Sequence, residues 1–371
     1  MLTKEHKDEL EHQQYRIIGS HSAVKTCNWT KNMINGKGGC YKLKFYGIMS
    51  NQCLQMTTSL SCANRCVFCW RGYKAPVSKE WKGNIDEPRM IVDESIKAHH
   101  KLLVGFNGSD KIDRDAYEKS KTVKHVALSL TGEPIIYPRI NELIDVFHKK
   151  GISTFLVTNA QYPKEIKNLK PVTQLYLSID APTKELLKKI DQPLFSDYWE
   201  RMNKSLECLS GKKYRTCIRL TLLKGINMLY PEKYAELINK GNPDFVEIKA
   251  YMFVGLSRQR LSNENMPMHE EIVSFSKELI KYLPDYEIVS EHIPSRVVLL
   301  AQKKFKKVNK EKKENKLDAE DKGDEEEWHT WIDFDKFIST VKEGKSITTE
   351  DYLGKTPEIG LSGKGTVRLM L

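Results

Sequence analysis

No apolar stretch in the sequence approaches the ~18 residues that a membrane-spanning helix needs. The opening Met1-Leu-Thr-Lys-Glu-His-Lys-Asp-Glu9 lacks the apolar segment of a secretory signal, so a soluble, cytoplasmic protein is expected. The ten histidines form no HxxxH or HxH pair, and neither a P-loop nor a Gly-rich dinucleotide fingerprint occurs. Histidine-ligated zinc, nucleotide triphosphate and flavin chemistry therefore have no support in the sequence. Internal repeats are absent as well. Cysteine is sparse, eight in 371 residues, yet three of these fall within residues 62–69. That crowding suits metal binding in a reducing compartment better than a disulfide framework.

What is present is enough for a full core: 40% of the residues are hydrophobic, which suits one large domain with extensions. The formal net charge is +11, which invites a polyanionic partner such as nucleic acid. Residues 303–327 carry nine lysines and nine acids among 25 positions. Their charges cancel, leaving the whole surplus on the rest of the chain, and so polar a run is expected to be a disordered surface insertion.

Cys62, Cys66 and Cys69 form a CxxxCxxC loop, Ser61-Cys-Ala-Asn-Arg-Cys-Val-Phe-Cys-Trp70. Three thiolates so close can hold three irons of a 4Fe-4S cluster and leave the fourth without a protein ligand, whereas structural zinc takes four ligands. A zinc knuckle with a distant fourth ligand is the competing reading. The spacing resembles the radical S-adenosylmethionine (SAM) superfamily. In that superfamily SAM chelates the open iron, and an electron from the cluster breaks the sulfonium bond to give a 5'-deoxyadenosyl radical.

Short β-rich runs at 53–59, 125–130, 154–157, 174–179, 216–222 and 245–248 alternate with helical patterns at 88–104, 139–150, 163–169, 184–190 with 197–209, 231–239 and 269–282. Six β-then-α units predict parallel strands joined by right-handed crossovers, in an α/β fold. Periodicity does not choose between a doubly wound sheet and an incomplete barrel. The superfamily resemblance implies a partial (β/α)6 TIM-like barrel whose cluster loop follows the first strand, with SAM at the carboxyl ends of the strands. A polar helix is expected at 5–17, a loop-rich stretch from 19 to about 53, and a β-like pair at 287–290 and 296–300. The expected division is 1–53 as N-terminal helix and cluster-binding extension, 54–301 as barrel, 302–327 as charged insertion and 328–371 as a C-terminal segment packing on the barrel.

Cys27, Cys40 and Cys53 are spaced Cx12Cx12C, too wide for a knuckle but feasible if the intervening loops fold across one another. Together with His21-Ser-Ala-Val-Lys-Thr-Cys-Asn-Trp-Thr-Lys31, Cys40-Tyr-Lys-Leu-Lys-Phe-Tyr-Gly-Ile48, Ser50-Asn-Gln-Cys-Leu-Gln-Met56 and the CxxxCxxC loop, the sequence resembles the tRNA 4-demethylwyosine synthase family from about His21 to Leu300. The resemblance implies two 4Fe-4S clusters, one cleaving SAM and the other binding pyruvate. It implies condensation of N1-methylguanosine beside the anticodon of phenylalanine tRNA with pyruvate to give 4-demethylwyosine. The long eukaryotic form carries a flavodoxin-like module before these cysteines and this sequence does not, so an external electron donor is expected, and a monomer.

The same resemblance makes Lys42 the lysine that forms a Schiff base with pyruvate. Such an amine must titrate near ~7 to 8 to act as a nucleophile; flanking Tyr41, Leu43, Phe45 and Tyr46 make its burial plausible, and Lys44 is the nearest competitor. Phe68, Gly132, Glu133, Thr158, Asn159, Ser178, Asp180 and Arg219, at the loop and the strand ends, match SAM-contacting positions of the superfamily. Gly132 admits close backbone approach and Glu133 can receive the SAM ammonium. Asp180 has an alternative role as a helix cap. Lys249, Tyr251, Arg258 and Arg260 are the tRNA candidates, since arginines and aromatics suit phosphates and unstacked bases. Cys208 and Cys217 read as packing residues. Two other readings stay open: a two-cluster radical SAM enzyme whose second cluster only transfers electrons, and a non-catalytic zinc-containing RNA-binding protein.

Overall fold

The computed structural model describes residues 3–72, 75–308 and 326–361. Six parallel strands form its centre: β3 (Cys53–Thr57), β4 (His125–Leu128), β5 (Ser153–Thr158), β6 (Gln174–Ser178), β7 (Thr216–Leu222) and β8 (Phe245–Ala250). They lie side by side in chain order. A doubly wound sheet reverses direction at a switch point; an unreversed order puts every crossover on the same face and curls the sheet into a barrel. The order of the strands thus decides what periodicity left open.

Closure is incomplete. β1 (Arg16–Ile18) and β2 (Ser22–Val24) extend one edge antiparallel, β9 (Tyr286–His292) and β10 (Val297–Gln302) extend the other, and the two edges do not pair among the described residues. The helices cover the outside: α4 (Pro88–Leu103), α6 (Ile140–Lys149), α7 (Pro163–Asn168), α8 (Lys184–Asp191), α9 (Tyr198–Ser210), α10 (Pro231–Gly241) and α11 (His269–Leu279). α6 shows the logic, burying Ile140, Leu143, Ile144 and Phe147 at helical spacing. Each such side chain contributes about 1.5–3 kcal/mol when taken out of water. Cys217 belongs to this core and Cys208 packs against it. No helix of the described residues is long and apolar enough to cross a membrane.

Two sequence expectations are corrected. The N-terminal helix α1 (Lys4–His12) ends early, since Gln14 takes φ +67° and the chain then becomes strand β1. The stretch expected to be loop holds strand β2 and the short helices α2 (Asn28–Ile34) and α3 (Tyr41–Tyr46). Helices this short have no independent stability, which is why no clear period announced them. α5 (Arg114–Ser120), capped by Asp113 Oδ1 accepting from the Ala116 N–H at 3.0 Å, was also missed.

The far end of the barrel is closed by the C-terminal segment. Tyr352 Oη accepts from the Arg215 N–H at 2.8 Å and donates to the Thr173 carbonyl at 3.1 Å, both just before inner strands. Arg215, buried completely, donates to the Thr330 carbonyl at 2.8 Å. The same segment grips α3, through Thr330 Oγ1 on the Phe45 carbonyl at 2.7 Å and Trp331 Nε1 on the Lys44 carbonyl at 3.0 Å. The expected insertion is ordered at both ends: Gln302 closes β10, Phe305 is buried, and Lys306–Val308 pairs with Glu326–Trp328, while residues 309–325, like 362–371, lie outside the described residues.

Candidate active site

The CxxxCxxC loop follows β3 at the carboxyl end of the barrel. Backbone bonds tie it to the end of α8, Arg65 N–H to the Asp191 carbonyl and Val67 N–H to the Ile190 carbonyl, both at 2.8 Å. Two arginines hold it from other sides. Arg71 donates to the carbonyls of Leu60 at 3.1 Å and Asn64 at 3.2 Å, and Arg260 to those of Val67 at 2.9 Å and Arg71 at 3.1 Å, with a further contact to Cys69. Burial pushes the Cys62 thiol up to about 11, with Arg71 opposing, and pushes the Cys66 thiol well above its ordinary range, with Asp191 and Cys69 adding to it. Protonated, buried thiols beside a guanidinium become thiolates when a metal centre takes the place of their protons.

Of the SAM candidates, Gly132, Glu133 and Asn159 reach this loop, whereas Arg219 lies beside Tyr41 and Glu247. Gly132 has φ +67°, and a Cβ there would sit 1.9 Å from the Ser59 carbonyl oxygen, so only glycine fits. Glu133 donates its N–H to the Ser61 carbonyl at 2.8 Å and accepts the Asn159 N–H on Oε2 at 2.8 Å. Its Oε1 is buried without a hydrogen-bond partner, and burial lifts the carboxyl to about 7. Asn159 Nδ2 in turn reaches Cys62 Sγ at 3.4 Å. A buried acceptor lacking a partner, beside a cysteine triad, fits an ammonium ligand. Thr158 is buried at the end of β5, and Phe68 is half-buried in the loop. Ser178 Oγ accepts from Arg219 at 3.4 Å. Asp180 is buried and lifted to about 6 by burial, opposed by Thr221 and Arg219. It does not cap a helix: the N-cap of α8 is Thr183, whose Oγ1 accepts from the Leu186 N–H at 3.3 Å. Sequence reasoning missed Asp191, buried next to Cys66 and hydrogen-bonded by Asn64 Nδ2 at 3.2 Å.

The second cysteine set also converges. Cys27 precedes α2, Cys40 precedes α3 and Cys53 opens β3; Ser50 ties these starts together, accepting the Cys40 N–H on Oγ at 2.9 Å and the Thr30 hydroxyl on its carbonyl at 2.8 Å. Burial raises Cys53 to about 12, and its electrostatic neighbours are Cys40, Lys42 and Cys27. Among the described residues no three His, Cys, Asp or Glu side chains meet at one ion-sized point.

Lys42 is half-buried, its Nζ 4.6 Å from the Tyr176 ring centroid and 5.7 Å from that of Phe155, inside the barrel. Two residues along a helix is a turn of about 200°, so Lys44 faces away, toward Glu291. Helix geometry thus turns Lys42 toward the barrel interior and Lys44 away from it. α3 itself is clamped by a residue that sequence reasoning did not single out. Glu247 on β8, buried completely, accepts from Tyr41 Oη on Oε2 at 2.9 Å and from Tyr46 Oη on Oε1 at 3.0 Å. The signal was available: a carboxylate in Phe245-Val-Glu-Ile-Lys-Ala250 stands out in an apolar run. Ser178, Arg219 and Glu247 lie in register on three adjacent strands, forming a polar row inside the barrel.

The four tRNA candidates are not brought to one surface. Lys249 shares the inward face with Glu247; its Nζ donates to the Ser295 carbonyl at 2.9 Å, and burial with Arg219 nearby pulls it down to about 8. Tyr251 is buried, with its hydroxyl 2.7 Å from Ser257 Oγ. Arg260 holds the cysteine loop, and Arg258 alone of the four is exposed.

Comparison with known proteins follows this geometry. The radical SAM superfamily model matches residues 56–238, and a model for wyosine base formation matches 240–302. The chain is 45% identical over 370 residues to the human S-adenosyl-L-methionine-dependent tRNA 4-demethylwyosine synthase TYW1, covering 98% of this chain and 48% of that protein. It is 45% identical to the Saccharomyces cerevisiae synthase, covering 96% of this chain and 43% of that one. The chain thus spans about half the length of these curated relatives. A solved structure of TYW1 with a lysine-pyruvate adduct bound is 36% identical, with TM-score 0.74, covering 82% of this chain and 97% of that one. Archaeal TYW1 follows at 32% identity and TM-score 0.67, covering 82% and 98%. By sequence, fold and the arrangement of its cysteines, the chain belongs to the tRNA 4-demethylwyosine synthase family of radical SAM enzymes.

Proposed function

We propose that the chain is a radical SAM lyase that condenses N1-methylguanosine, beside the anticodon of phenylalanine tRNA, with pyruvate to give 4-demethylwyosine. The observation that carries this reading is the placement of Lys42 among aromatic rings inside the barrel, next to a cysteine triad distinct from the CxxxCxxC loop. A relative solved with a lysine-pyruvate adduct supports it.

When bound, a 4Fe-4S cluster at Cys62, Cys66 and Cys69 supplies the electron that breaks the sulfonium bond of SAM, and one at Cys27, Cys40 and Cys53 offers pyruvate an open iron. Glu133 holds the SAM ammonium through its unpartnered Oε1, while Gly132 lets the backbone approach. Lys42 Nζ attacks the pyruvate keto carbon, and water leaves as the Schiff base forms. Arg219 and Lys249 give that pocket the positive field that a pyruvate carboxylate requires. Glu247 keeps α3, and so Lys42, docked on β8. Arg258 is available to the tRNA backbone at the barrel mouth.

Anaerobic reconstitution tests the reading. About eight irons per chain are expected, with SAM cleavage on reduction and a fluorescent tricyclic base formed only with pyruvate and methylated tRNA, carrying two labelled carbons from labelled pyruvate. Eight irons and SAM cleavage without that base would support an electron-transfer role for the second cluster instead. Borohydride should trap pyruvate on the wild type and not on Lys42→Ala; full trapping on the variant would remove Lys42 from the reaction.

A further inference from the structure

We propose that a cleft outside the two cysteine sites holds one unpaired nucleotide of the substrate RNA, an inference that rests on the preceding reading of RNA as the substrate. The cleft has a volume of about 570 Å³, within the range of natural ligand sites. Three of its walls continue segments that build the SAM site. Residues 79–81 follow the cysteine loop, to which Ser78 is tied by its N–H on the Cys62 carbonyl at 3.1 Å; residues 135–137 follow Gly132 and Glu133; Tyr162 follows Thr158 and Asn159. All three leave the carboxyl ends of barrel strands, so the cleft opens beside the mouth through which a tRNA base must enter.

Its lining matches the chemistry of a nucleotide. Trp81 and Phe195 supply partly accessible aromatic surface, backed by the buried rings of Tyr137 and Tyr162. The Phe195 ring is half-buried, with the Arg201 guanidinium 3.7 Å from its centroid, Lys79 Nζ at 5.7 Å and the Tyr162 ring at 5.7 Å. Lys79 and Lys164 are exposed on the rim, and neither appears among the ion pairs of the described residues. Glu80 and Glu165 share that rim, which disfavours a bare phosphate. Aromatic faces for a base, two lysines for its phosphate and two carboxylates for exocyclic amino groups suit a single-stranded nucleotide. The surplus of +11 over the chain favours the same polyanion.

The test is binding of an anticodon stem-loop RNA carrying N1-methylguanosine, followed by fluorescence anisotropy against salt. Phe195→Ala should weaken binding roughly five- to hundredfold by removing a stacking surface. The Lys79→Ala/Lys164→Ala variant, altered only at exposed positions, should lower the slope of log K against log salt by ~0.7 for each phosphate that is no longer neutralised. In an abasic scan of the loop, one position should cost affinity with the wild type and not with Phe195→Ala, because both changes remove the same interaction. Wild-type affinity and slope in both variants, or additive losses at every abasic position, would overturn the proposal while product formation leaves the enzymatic reading intact. A wild-type protein that binds this RNA yet makes no tricyclic base would overturn the enzymatic reading instead. Should Phe195→Ala fail to fold by thermal melt, the lysine variant decides.

Discussion

Glu247→Ala is the perturbation that most directly probes how a six-residue helix keeps its lysine aimed into the barrel. The substitution strands two buried phenols, Tyr41 and Tyr46, which now share one carboxylate at 2.9 and 3.0 Å. A hydrogen bond to a charged group contributes about 1.5–3 kcal/mol, and an orphaned buried donor costs about 1–3 kcal/mol. Arg219 and Lys249 also lose a nearby negative charge. These terms overlap, and a loss of roughly 4–6 kcal/mol in unfolding free energy is expected. Glu247→Gln keeps an acceptor for one phenol and should cost about half as much. The Tyr41→Phe/Tyr46→Phe double variant leaves the charge in place and isolates the clamp. The decisive assay is borohydride trapping of pyruvate at Lys42, read by mass spectrometry beside thermal melts. Trapping should fall at least tenfold in Glu247→Ala and in the double variant, with partial rescue in Glu247→Gln. Variants that melt earlier yet trap pyruvate at the wild-type rate would show that Glu247 only stabilises the fold, and the positioning argument would fail.

Gly132→Ala should cost roughly 2 kcal/mol or more and abolish SAM binding, because the left-handed backbone and a clash with the Ser59 carbonyl act together; calorimetric titration with an unchanged SAM affinity would contradict this. Glu133→Gln should leave iron content unchanged and weaken SAM binding roughly 10- to 100-fold through loss of one charge-assisted bond, a result checked by the same titration. His148 is buried, 2.9 Å from Thr154 Oγ1, and burial pulls it down to about 4. It stays neutral in the fold and charges on unfolding below ~6.5, so its share of stability is present above that pH and is lost as pH falls toward 4. His148→Gln should therefore flatten the pH dependence of denaturant-measured stability by up to ~1.4 kcal/mol per pH unit between pH 6 and 4.5, and parallel curves for the two proteins would refute the assignment.

Much of this protein is written locally. The CxxxCxxC spacing, the six β-then-α units and the family resemblance carried by Cys27, Cys40, Lys42 and Cys53 are properties of short segments, and the strands emerged where their apolar runs lie because fully buried parallel strands need such runs. The direction of winding was not local, since an unreversed strand order is a relation among six segments. α2 and α3 could not be read either, being too short to signal a period, and α3 is held by Glu247, Thr330 and Trp331, up to 287 positions away. The fates of Lys249, Tyr251 and Arg260 were decided in the same way. Sequence showed cations and an aromatic after a strand, suited to RNA; the pleat of β8 turned Lys249 inward beside Glu247, and the packing of the following loop spent Arg260 on the carbonyls of the cysteine loop. Residue type and spacing determined which chemistry the chain can perform, while long-range packing decided which of several equivalent side chains face it, because direction in space is set by neighbours that the linear order does not reveal.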